Sequence, residues 1–257
     1  MALQEFIDLI TKPAKTLIRK PVLFVPALFI LIIFAFLLRI SDQVNVSLAA
    51  NNLNSTPILT AWVVVFVILS FIILSLVLSG IIGMNRNYLS MKNYSLKEFL
   101  SGMKKYWLKN FVILILILII SRAIFFISLF LARGIGQTLS LNVQIAQVIF
   151  LILMFIGFAG FLMFFTFASF YLVLRNQGIK QSIKSSFAIV KARYLETLSL
   201  VVLFFVISEL VDLTSRLHAT LPDLLKTLII LPYLVLVLTY FVLKFDQLSK
   251  LTDKSSK

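Results

Sequence analysis

The stretch SLKEFLSGMKKYWLKNFVILILILIISRAIFFISLFLA, residues 95–132, joins a patterned basic segment to an unbroken apolar run. In its first half Leu96, Phe99, Leu100, Met103 and Trp107 recur at helical spacing and mark one face, with Lys97 and Lys104 flanking the stripe. Ser95, followed three residues later by Glu98, is a capping box that places the helix start. From Asn110 the run is long enough to cross a bilayer. A hydrocarbon core about 30 Å thick needs roughly 20 apolar residues at about 1.5 Å of rise each.

The same arrangement recurs on both sides of this stretch. Apolar runs begin at Pro21, Asn110 and Thr197, and the residues before them, Lys20, Lys109 and Glu196, are 89 and then 87 positions apart. Each run is followed by a second that ends in a basic residue, Arg86, Arg175 or Lys244. The chain therefore reads as an all-α integral membrane protein with six transmembrane helices, in three repeats of an amphipathic helix and a helical hairpin. The expected spans are 21–40, 57–84, 111–132, 144–174, 197–215 and 224–243. Residues 1–245 form one membrane domain, with units of about 1–86, 87–176 and 177–245, and 246–257 form a polar basic tail.

Composition demands the membrane. With 61% hydrophobic residues and a mean hydropathy of +1.06, the 257 residues carry more apolar surface than a soluble core could hide. The runs are continuous rather than alternating, and a barrel strand would be about half as long. The opening MALQEFIDLITK is interrupted by polar and acidic residues and does not read as a signal peptide.

Of the 24 basic residues, 19 fall at one end of the expected bundle: four before the first span, six after the second, five after the fourth and four in the tail. Arg39, Arg133, Arg216 and Lys226 fall at the other end, and Arg122 falls inside a span. The positive-inside rule then gives a multi-pass cell-membrane protein with both termini cytoplasmic. The net charge of +14 reads as a topology signal, so nucleic acid is not an expected partner. Having no cysteine excludes disulfides, thiolate catalysis and cysteine-bound clusters, and the single His218 cannot build a multi-histidine site. No metal, cofactor or catalytic residue is expected.

The basic segments of the other units repeat the pattern. Ile179, Ile183, Phe187 and Val190 mark one face of the third, beside Lys180, Lys184 and Lys191. In the first, Leu3, Phe6, Ile7, Ile10, Ala14, Leu17 and Ile18 lie opposite Glu5, Asp8, Lys12, Lys15 and Arg19, and Pro13 is expected to kink or divide that helix. Such helices lie in the interface plane with their lysines among anionic headgroups. Lys97, Lys104, Lys105, Lys180, Lys184 and Lys191 are the membrane-surface candidates. The segments serve either as structural collars orienting the next span or as a docking surface for a soluble partner or a lipid headgroup.

On the opposite side, residues 41–56 form the most polar loop and carry two glycosylation patterns, at Asn45 and Asn54. Inside the membrane Arg122 lies 12 residues beyond Asn110, and the 87-residue offset carries it onto Glu209, with Asp212 one turn further. A charge at mid-bilayer costs about 3 kcal/mol or more, and such residues usually face the bundle interior in pairs. Arg122, Glu209 and Asp212 are therefore the candidate intramembrane cluster. It reads as a register-fixing ion pair, as an arginine snorkelling outward, or as a substrate, ion or proton site. Gly80 with Gly83, and Gly157 with Gly160, would let helices approach closely. Pro232 predicts a bend or local unwinding in span six, and span four, at about 30 residues, must tilt, kink or overrun.

The entry Arg19-Lys20-Pro21-Val22-Leu23-Phe24-Val25-Pro26, with its repeated amphipathic-plus-span units, resembles a broad group of multi-pass membrane proteins. These are similar to the membrane domain attached to some bacterial glycerophosphodiester phosphodiesterases and to its stand-alone archaeal relatives. The likeness covers most of residues 1–245 and implies membrane location. The catalytic barrel of the fused enzymes, with its acidic and histidine residues, is missing from this chain, so the resemblance implies no hydrolysis and transfers no catalytic residue.

Two function classes follow. One is a non-catalytic scaffold, accessory or lipid-organising protein whose partners are the bilayer, anionic lipids and a cytoplasmic or membrane protein. The other is a transporter or permease subunit built around Arg122, Glu209 and Asp212. An ATP-driven exporter half would need a separate nucleotide-binding partner, since no GxxxxGK(S/T) occurs. A membrane enzyme fits least, because His, Cys and paired acids near the surface are almost wanting.

Overall fold

A long apolar run in a bilayer must satisfy its backbone groups internally, so it forms a helix. The computed structural model describes residues 3–50, 56–86, 95–139, 142–216, 218 and 220–255, and every regular element among them is helical. Six segments are long and apolar enough to cross a membrane: Pro21–Val44, Ala61–Met84, Leu96–Thr138, Val143–Leu174, Tyr194–Ser215 and Leu221–Phe245. Apart from the third, these lie within a few residues of the expected spans.

Helix α1 (Leu3–Arg19) precedes span one, which is a short 3-10 turn followed by α2 (Val25–Ala50). Spans two and three are α3 (Thr56–Met84) and α4 (Leu96–Thr138). Span four comprises α5 (Val143–Gly160) and α6 (Ala168–Leu174), and α7 (Ile179–Ala192) leads to span five, α8 (Tyr194–Asp212). Span six joins α9 (Leu221–Leu225) to α10 (Leu231–Ser255) through a π-helical stretch at Lys226–Ile230.

Local chemistry explains the breaks. Lys20 leaves helical space at φ −126°, ψ 78°, as a residue before proline tends to, and so separates α1 from span one. Arg193, at φ −132°, ψ 43°, separates α7 from α8. Pro232 cannot donate to the preceding turn, and the π stretch directly ahead of it is the local unwinding that its position predicts. Span four is interrupted where α5 gives way to a 3-10 turn at Leu162–Phe165.

Three expectations need correction. Pro13 does not divide α1, because a proline costs one donor and its ring is buried here. The second amphipathic segment is not a separate helix: α4 runs unbroken for 43 residues, roughly 64 Å. Nor do Ser41–Ser47 form a loop, since α2 continues through them to Ala50; Asn45 is thus helical, and Asn54 lies outside the described residues. Residues 246–255 of the polar basic tail are helical and continue α10.

Each basic helical segment packs on the end of a span: the first half of α4 on α3, α7 on α6, and α1 on α10. At the first contact a Cβ on Gly80 would come within 2.5 Å of the Phe99 ring, and one on Gly102 within 2.7 Å of the Ser79 carbonyl. Glycine is required there for the helices to touch. Ser75 donates to the Trp107 carbonyl, and the Asn110 amide donates to the Ser75 carbonyl at 3.3 Å. At the third contact the Tyr233 hydroxyl donates to the Ile10 carbonyl at 3.0 Å. Gly157 admits Ile124 in the same close manner, whereas nothing approaches Gly160.

The inward faces differ from the apolar stripes read in the sequence. On α4 Phe99, Gly102, Tyr106, Asn110 and Ile113 are buried, while Leu96 and Leu100 are exposed. On α7 Ser182 and Ser186 turn inward with Ile189 and Val190, and Phe187 stays outside with its ring stacked on Phe164 at 4.9 Å. On α1 Leu9, Pro13 and Leu17 are buried, and Ile7 and Ile18 are exposed.

Candidate functional site

The three intramembrane charges do not converge. Arg122 lies roughly 200° round α4 from the buried Ile124, so a helix that packs through Ile124 and Ser128 turns Arg122 outward, and it is exposed. Glu209 stands about 180° round α8 from the buried Leu200 and is exposed as well. Asp212 takes a different partner, the ammonium of Lys226 at 2.5 Å. Arg122 forms no ion pair with either acid. Among the described residues the expected Arg122–Glu209–Asp212 cluster gives way to an Asp212–Lys226 pair and two exposed charges, because packing gave the buried faces to residues such as Ile124, Ser128 and Leu200. His218 is exposed, and its Nδ1 accepts the Thr220 backbone N–H at 3.3 Å with the Thr220 hydroxyl 2.9 Å from the same nitrogen, as suits a solvated loop residue.

Polar chemistry gathers instead at the end of the bundle where α3 stops and α4 begins. Ser95 caps α4 by accepting the Glu98 N–H at 3.2 Å, which fixes where the helix starts. From that start Lys97, Ser101 and Lys105 follow at intervals of four and share one face. This face meets Gly83 and Arg86 at the end of α3 across a cleft of about 620 Å³, which Glu98 and Tyr106 also line. Buried Tyr106 donates its hydroxyl hydrogen to Asn176 Oδ1 at 3.0 Å, joining the cleft wall to the turn after α6, where Asn176 adopts φ 52°. The Lys105 ammonium lies 5.2 Å from the centre of the Tyr106 ring. Asn85, between Met84 and Arg86, is wholly buried, and neither atom of its amide has a partner. Ser101 and Tyr106 were not among the expected site residues, and Arg86 was read only as the end of a run; the four-residue spacing of Lys97, Ser101 and Lys105 was the available signal.

The remaining surface candidates separate. Lys104 is exposed on α4 beside this face, and Lys180, Lys184 and Lys191 are exposed on α7. A second charged group forms where Lys244 of α10 reaches Glu5 of α1 at 3.4 Å, close to the Arg193–Glu196 pair at 2.8 Å. Only about 20 Å³ of space lies among them, so this is a fastening rather than a pocket. Further along α1 the Lys12 ammonium donates to Asp8 at 2.9 Å and holds that carboxyl below its usual range.

Within the spans an apolar groove of about 320 Å³ opens beside the interruption of span four, lined by Phe158, Phe204, Phe205 and Leu234, with Thr166 and Thr197 at its polar positions.

A family model described as a domain of unknown function, DUF7847, matches residues 6–248. The chain belongs to that family. The match takes in all six candidate spans, the basic segments of α4 and α7, and all of α1 but its first three residues. No curated protein and no solved structure matches the chain.

Proposed function

We propose that this DUF7847 protein is a non-catalytic multi-pass membrane protein that acts as a scaffold, accessory or lipid-organising component. Both termini and the basic helical segments would lie on the cytoplasmic side, where they form a collar. The observation that carries this reading is the shared packing of α1, α4 and α7. Each lies along the end of a span and leaves lysines and apolar side chains such as Ile18, Leu100 and Phe187 facing outward. That outward mixture is what an anionic headgroup layer accommodates.

The same contacts support three repeated units joined in a ring. Each basic segment packs on the second span of the unit before it, and α1 closes the circle on α10. The layout likeness to the membrane domain of glycerophosphodiester phosphodiesterases belongs to this proposal. A transport site would need Arg122, Glu209 and Asp212 around a common path, and the Asp212–Lys226 pair with the outward Arg122 lends that alternative no support.

Topology and lipid preference are testable together. Cysteines introduced as Ser47→Cys and Ser101→Cys should react from the outside and the cytoplasm respectively; the opposite result overturns the orientation. Protein extracted in mild detergent should retain anionic lipid in excess of its share in the source membrane. No enrichment, or solute flux in proteoliposomes that Glu209→Leu abolishes, would replace the scaffold with the transporter.

A further inference from the structure

We propose that the cleft between the end of α3 and the start of α4 is a phosphate-binding site, filled by the headgroup of an anionic lipid or by a soluble phosphoester. The inference rests on the collar reading above and gives it a defined place of contact.

Three cations line the cleft, Arg86 just beyond α3 and Lys97 and Lys105 from α4, and none forms an ion pair with an acid among the described residues. Ordinary lysines on a helix surface would point in several directions. These two lie about 80° apart around the helix, on the same side at i and i+8, and Ser101 between them adds a hydroxyl donor. Glu98 is the acid in the lining, so the cleft carries a net positive charge with it included. The N-terminal end of α4, with its positive dipole, opens on the same space.

One wall of the cleft is braced from within the protein. Tyr106, spent on Asn176, braces the wall with its ring beneath the Lys105 ammonium, so that lysine is already restrained. A volume of about 620 Å³ lies within the span of small-ligand sites, about 300–1,000 Å³. Arg86 offers a bidentate fork and the lysines offer point charges, the combination that phosphate oxygens accept.

The test uses the whole protein in a neutral detergent, with phosphatidylglycerol, phosphatidylcholine and inorganic phosphate as probes and retained lipid read by native mass spectrometry. Wild type should retain phosphatidylglycerol over phosphatidylcholine. Lys97→Gln with Lys105→Gln should weaken that retention about tenfold for each lysine, the scale of one charge-assisted hydrogen bond. Lys180→Gln with Lys184→Gln on α7 should leave it within about twofold on the same scale. Displacement of the lipid by millimolar inorganic phosphate identifies a soluble phosphoester as the occupant, and resistance to displacement identifies the lipid headgroup. Equal losses from the α4 and α7 pairs would overturn the site while leaving the collar in place. A wild type that responds to neither phosphatidylglycerol nor phosphate would overturn the site and the collar together.

Discussion

Ser186 of α7 donates its hydroxyl hydrogen to the carbonyl oxygen of Phe164 at 2.5 Å, and it accepts the N–H of Phe167 at 3.2 Å. Both backbone groups belong to the interruption of span four, where the 3-10 turn leaves helical partners unmade. A broken helix within a span survives only where other polar groups satisfy its backbone. Here one wholly buried serine from a neighbouring helix serves a donor and an acceptor at once.

Ser186→Ala should therefore lower stability by about 1–3 kcal/mol, the cost of leaving buried backbone groups unpaired. Thermal unfolding in detergent measures it. A melting temperature equal to that of wild type would mean that the break is satisfied elsewhere.

The α3–α4 contact makes a contrasting prediction for two glycines on one helix. Gly102→Ala places a Cβ within 2.7 Å of the Ser79 carbonyl, which is backbone and cannot swing away, so about 1–3 kcal/mol should be lost. Gly134→Ala meets nothing within 4 Å and should be neutral or stabilising by up to about 1 kcal/mol through helix propensity. Similar melting shifts for the two would show that the close approach contributes nothing.

Tyr233→Phe removes only the hydroxyl that holds the Ile10 carbonyl, across 223 positions of sequence. Hydrogen exchange should rise through α1 while the amides of α4 stay protected, with about 1 kcal/mol lost as for a single hydrogen bond. Faster exchange spread evenly over the bundle would show that α1 is not a separately docked element.

Arg122→Leu should leave stability unchanged or raise it, because the guanidinium faces outward with no acid partner to strand. In a double-mutant cycle with Glu209→Leu the coupling should be below about 0.5 kcal/mol, as for sites that do not touch. A larger coupling would restore the buried pair that matched depth and opposite sign suggest.

Asp8 sets a pH expectation at the same surface. Its pKa is lowered in the fold by the Lys12 hydrogen bond, so the pair's contribution is present above the ordinary value of 3.8 and fades as pH falls through the lower folded value. Proteolysis of α1 should then accelerate only in acid below that range, and Asp8→Asn should remove the acid dependence. Acceleration at neutral pH in the wild type would assign the effect to another group.

The chain's own residues determined the six spans, the class and the cap of α4, because these depend on run length, hydropathy and near neighbours such as Ser95 and Glu98. Pro232 could be read the same way, since the donor it lacks is a local fact. Which face of each helix turns inward could not. On α7 the apolar stripe suggested one face, yet the serines went inside, because Ser186 had backbone partners in span four, 19 and 22 positions away. Matched depth paired Arg122 with Glu209 on paper, but depth says nothing about azimuth. The rotation of α4 was settled by Gly102, Asn110 and Ile124 against their neighbours. The cleft depended on both kinds of information: its lysine spacing is local, whereas its opposite wall, with Gly83 and Arg86, is brought there only by the contact of α3 with α4. Apolar length is a sum over one segment, whereas orientation is a competition between segments for close contact and for hydrogen bonds.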